Sequence, residues 1–211
     1  MNEYPPDLLG LLSQARNMVA DDRRIWCSVS DTFESRLQQR RGLLLGGAFS
    51  PHFLRDSGEL GWEVPWMMRL RNCRVAICER AADQPVAAWL PLMEAIVAAG
   101  ESLLVVTDSI DQELLSTFVV NTFKGTLRVC VVRPAGAASG ARLATPPATA
   151  DQLMRIDQVW VRRTATALFP TAGEPLANAP TLENCVVVET GGENHEDQRE
   201  RLRFLMRELQ R

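Results

Sequence analysis

Residues 86–134, VAAWLPLMEAIVAAGESLLVVTDSIDQELLSTFVVNTFKGTLRVCVVRP, constrain this chain more than any other stretch. They read as helix, strand, helix, strand, with Gly100 and Gly125 closing the helices. Such alternation implies parallel pairing and an α/β layer. Both helices carry more apolar residues than one buried face can use. At roughly 100° per residue, Trp89, Leu92, Ile96 and Ala99 share one face of the first helix, and Leu90, Met93 and Val97 share an adjacent one. In the second, Leu114 and Phe118 share a face, Leu115 and Val119 lie beside it, and Val120 stands further round. Leu92, Ile96, Leu114 and Phe118 are therefore expected to be core. Leu90, Met93, Leu115 and Val119 fall at or beyond the edge of the buried stripe. Either they line a groove between the helices, or another layer covers them; periodicity alone favours the cover.

The 211 residues suffice for one principal domain with a substantial core, and 46% hydrophobic with 23% charged residues argues for a folded chain. A net charge of -3 supplies no basic excess for nucleic acid or an anionic membrane, so neither is an expected partner. The cysteines at 27, 73, 78, 130 and 185 are odd in number and never spaced C-x-x-C, which speaks against a disulfide framework or a zinc site. Cys78 and Cys130 sit in apolar runs and read as small core residues. The N-terminus lacks a basic segment followed by a long apolar one, and no apolar run reaches membrane length, so a cytoplasmic setting is expected.

Around the central stretch, Leu8, Leu9, Leu12, Ala15 and Met18 are spaced for one helix face. The segment 25–41 is ambiguous between a short strand and a second amphipathic segment. Residues 43–45, 62–68, 74–78, 158–162, 165–169 and 185–189 read as strands. Gly46 and Gly47 permit an unusual backbone path, and Ser50-Pro51 forces a turn or extended conformation. Residues 133–150 are rich in alanine, glycine and proline and read as a loop. The C-terminal segment places Leu202, Leu205, Met206 and Leu209 at helical spacing, with Asn194 as N-cap and Glu196 and Asp197 in the first turn.

Dinucleotide, P-loop, zincin and serine-hydrolase motifs do not occur. Asp108 follows a strand at the position where α/β enzymes often place a carboxylate. The capping reading is stronger, since Ser109 and Gln112 have capping-box spacing. His52 has no partner acid or nucleophile nearby in sequence. No catalytic residue, metal ligand or cofactor is expected.

The run LPLMEAIVAAGESLLVVTDSIDQELLSTFVVNTFKGTLRVCVVRP closely resembles the apical domain of the bacterial GroEL-type chaperonin, as do GAFSPHF at 47–53 and the E-x-P of Glu63 to Pro65. The match is gapless from about Gly42 to about Arg133 and weaker to about Arg211. The resemblance implies a layered β/α domain of the chaperonin apical type over 42–211, with a central β-α-β-α-β unit, a further strand-rich layer and a C-terminal helix. Residues 1–41 would be a separate helical extension, and 135–150 a flexible loop where the family has a glycine-rich, basic stretch.

The family's apical domain binds non-native polypeptide and a co-chaperonin in a groove between two helices, helped by a nearby extended segment. Carried over by position, Leu90, Met93, Leu115, Val119 and Val120 would form the binding face, with Ser50, Phe53 and Asn121 beside them. Ala48 and His52 stand where the family usually has tyrosines, which weakens the aromatic part of that segment. None of the equatorial ATPase domain's nucleotide motifs occurs in these residues. The expected function is ATP-independent binding of non-native or extended apolar polypeptide, a co-chaperonin-like mobile loop among the partners considered. The alternative is a structural or regulatory interaction domain whose groove is covered by the N-terminal extension or by a partner subunit.

Overall fold

A computed structural model describes residues 6–30, 32–54, 67–78, 80–134, 146, 149–170 and 182–209. The E-x-P at Glu63 to Pro65, the loop expected at 56–61 and nearly all of the 135–150 stretch lie outside them. The described chain is mixed α/β, with four α-helices and eight strands. It divides into two compact units, residues 1–42 with 183–211 and residues 43–182. This division differs from the expected one, because the C-terminal strand and helix belong with the N-terminal segment.

The first unit contains helix α1 (Pro6–Met18), strand β1 (Ile25–Val29), most of β2 (Arg36–Gly46), β8 (Glu183–Thr190) and α4 (His195–Glu208). The ambiguous 25–41 segment is thus strand at both ends. β8 lies between β1 and β2, parallel to the first and antiparallel to the second through Gly42. That pairing places residues 183–190 in this unit. Leu8, Leu12 and Ala15 of α1 and Leu202, Leu205 and Met206 of α4 are buried, while α1 packs on β8 and α4, and α4 on β1. Asn194 caps α4 as its sequence predicts, its side chain accepting from the Glu196 and Asp197 amides, both at 3.0 Å.

The second unit starts with residues 43–46 of β2, which pair antiparallel with β7 (Ala165–Phe169). The order continues through β6 (Met154–Arg162), β3 (Met67–Cys78), β4 (Ser102–Thr107) and β5 (Val129–Val132). β7, β6 and β3 pair antiparallel, whereas β3, β4 and β5 pair parallel, as the alternation at 86–134 requires. The two β-like runs expected at 62–68 and 74–78 are, where described, one strand, β3. It passes through Asn72 at φ 46, a left-handed conformation that asparagine tolerates better than most residues.

Helices α2 (Val86–Ala99) and α3 (Gln112–Phe123) are the crossovers between these parallel strands. β4 and β5 are buried along their whole length, because they take side chains on both faces. Gly100 and Gly125 close the helices at φ 65 and 68, conformations that cost a side-chain-bearing residue more. The edge strand β5 is closed off by the end of β2 and the residues after it: the Gly46 amide donates to the Arg133 carbonyl, and the Phe49 amide to the Val131 carbonyl. A Cβ at Gly47 would lie 1.9 Å from the Arg163 carbonyl oxygen, so only glycine fits this close approach. No helix among the described residues is long and apolar enough to cross a membrane.

Candidate functional site

The α2–α3 layer rests on an apolar base. Leu92, Ile96, Leu114 and Phe118 are fully buried, as their spacing predicts. Trp89 meets Phe118 edge to face, ring centroids 5.5 Å apart and planes at 87°, which joins the two helices beneath their surface. At the far end of α2, Arg74 on β3 donates from Nε to Glu101 at 2.7 Å, both side chains mostly buried. That hydrogen bond raises the Arg74 pKa further above its ordinary value and ties the helix terminus to the sheet.

The start of α3 differs in detail from the capping box expected at Ser109. Asp111 is the N-cap, accepting from the Glu113 and Leu114 amides at 2.7 and 3.3 Å. Its carboxylate lies one residue before the helix, where the amides converge. Ser109 instead sits in a turn with Thr107, whose hydroxyl accepts from the Ala81 amide and donates to the Ser109 carbonyl.

The positions carried over from the family separate into three groups. Leu90 on α2 and Val120 on α3 are exposed by 45% and 47%. Leu115 and Val119 are half-buried against the core, and Asn121 is half-buried with its amide nitrogen donating to the Thr117 carbonyl at 2.9 Å. Met93, Ser50 and Phe53 are buried and offer almost no surface. Phe53 lies in the short turn 51–54, which packs against α3, so it props the helix from below. The Ser50 hydroxyl accepts from the His52 amide at 3.2 Å and holds that turn.

Two residues join the exposed set that the family positions leave out: Val97 on α2, exposed by 45%, and Phe123 on α3, exposed by 64%. Their signal is in the spacing. Val86, Leu90, Met93 and Val97 follow one another at intervals of four, three and four, and Leu115, Val119 and Phe123 at intervals of four. On α2 the exposed Leu90 and Val97 flank the buried Met93, and on α3 the half-buried Leu115 and Val119 lead to the exposed Phe123, so these exposed side chains sit on a shoulder of the core.

The buried cysteines are chemically quiet. None of the five forms a disulfide, and all are buried. Burial pushes the Cys78 thiol up to about 11 and also raises those of Cys73 and Cys130, away from thiolate character at neutral pH. Among the described residues no group of three or more His, Cys, Asp or Glu could hold a metal ion. No protein-family model matches the chain.

Proposed function

We propose that the second unit binds extended apolar polypeptide segments on the α2–α3 surface, without ATP, as an apical-type chaperonin module outside a chaperonin ring. The observation that carries the reading is the shoulder itself: four large apolar side chains, Leu90, Val97, Val120 and Phe123, exposed by 45 to 64% on two neighbouring helices. Several large apolar side chains exposed on neighbouring helices are unusual unless something binds them. The resemblance of 42–133 to the chaperonin apical domain supports the same reading, since it spans both helices and the strands between them. A reducing, cytoplasmic setting suits five cysteines that form no disulfide.

The expected affinity is low. Full burial of such a side chain contributes about 1.5–3 kcal/mol, and these four are already about half buried, leaving ~1 kcal/mol each. A gross gain of ~4 kcal/mol stands against an association cost of ~4–15 kcal/mol. A single surface therefore holds its client weakly, and tight capture needs several copies acting together.

The alternative of a groove covered by the N-terminal extension draws less support. Of Leu8, Leu9 and Leu12, the residues that motivate it, Leu8 and Leu12 are buried inside the first unit, and Leu9 alone of the three is exposed, by 47%. The test is steady-state binding to an immobilised, permanently unfolded client. Leu90→Glu or Val120→Glu is expected to abolish the response while circular dichroism stays unchanged. Undiminished binding by both variants would remove the surface from the account.

A further inference from the structure

The α2–α3 shoulder is lopsided in charge as well as apolar. Helix α2 contains one ionisable side chain, Glu94, and α3 contains one, Glu113. Both are exposed, and among the described residues neither side chain is joined to a basic group. Glu94 lies four residues after Leu90 and three before Val97, so it is a surface neighbour of both. Glu113 lies two turns before Val120 on the same strip of α3. The one basic residue on this strip is Lys124, exposed, four residues beyond Val120 and directly after Phe123.

We infer that the preferred occupant of this surface is an extended apolar segment with lysine or arginine beside its apolar side chains. This rests on the binding reading above and narrows it. An apolar segment laid over Leu90 and Val97 takes water from the Glu94 carboxylate, a cost that a basic group on the segment offsets and an acidic one enlarges.

The test uses the full chain and three short peptides with one Leu/Val/Phe core, flanked by Lys, by Gln or by Glu, with Kd taken from NMR chemical-shift titrations. At low salt the Lys-flanked peptide is expected to bind about tenfold tighter than the Glu-flanked one, with the Gln-flanked peptide between them. Raising salt from about 20 to about 300 mM shortens the screening length from about 20 Å to about 6 Å and should collapse the difference. Glu94→Gln and Glu113→Gln should each narrow it about two- to threefold, and Lys124→Gln should not. Equal affinities for the Lys- and Glu-flanked peptides, with the Gln-flanked peptide still bound, would overturn the charge preference and leave the binding surface standing. Failure of all three peptides to bind would overturn both.

Discussion

Helix α4 and the α2–α3 pair treat their outer faces in opposite ways. In the first unit, α4 buries Leu202, Leu205 and Met206 and turns a face of arginines and glutamates to water, while α1 is intermediate, burying Leu8, Leu12 and Ala15 and leaving Leu9 and Met18 exposed by 47% and 41%. In the second, α2 and α3 bury an equally good stripe and then carry further apolar residues past its edge, with one charge apiece. The α4 pattern is what stability alone asks of a surface helix. The α2–α3 pattern leaves more apolar area exposed, and under the proposed function that excess is where a partner would bind.

That contrast can be broken by mutation. The largest effects belong to the shared feature, the buried stripe. Phe118→Ala removes the edge contact with Trp89 and is expected to destabilise the second unit by ~3–5 kcal/mol in urea denaturation, and Leu202→Ala should cost the first unit ~2–5 kcal/mol. Next come the caps: Asn194→Ala and Asp111→Ala should each lose ~1 kcal/mol, since each leaves two helix amides without their acceptor. The exposed shoulder should respond least. Leu90→Ala and Val120→Ala are expected to move stability by no more than ~0.5 kcal/mol while weakening client binding. A loss of several kcal/mol at Leu90 would make it a core residue and end the contrast.

The cysteines sharpen the same point. Burial disfavours the thiolate, so the folded Cys78 pKa lies above its unfolded value. Its contribution to stability is present below about pH 8.5, the ordinary thiol range, and is lost as pH rises toward 11. The native protein should react negligibly with a thiol reagent at pH 8, and the urea-unfolded chain should react at all five sites. Rapid native labelling would show that the β3–β5 layer opens more easily than its burial implies.

Much of the second unit was legible in sequence because glycine-closed helices alternating with short apolar runs admit few arrangements. The core face of each helix followed from Leu92, Ile96, Leu114 and Phe118. Chain division was not legible: nothing local marks residues 183–190 as the partner of 25–29 rather than of the sheet before it, because strand pairing is a long-range choice. Likewise Met93 stands beside Leu90 on a helical wheel, yet one is buried and the other half in water, and only packing decides which side of the stripe's edge each falls. Phe53 illustrates the reverse, since a residue placed near a surface by resemblance serves here to support it from inside. Phe123 was readable from its spacing after Val119, but its place in the last helical turn gave no sign of how far it would stand from the core.

The central claim is that the α2–α3 shoulder, and not the first unit, receives an apolar segment. The most direct measurement is an amide NMR titration of the whole chain with a short Leu/Val/Phe-rich peptide. Progressive shifts clustered in residues 86–99 and 112–124, with residues 6–18 and 195–208 unmoved, are what this account predicts. Shifts confined to the first unit, or none up to the solubility limit of the peptide, would contradict it.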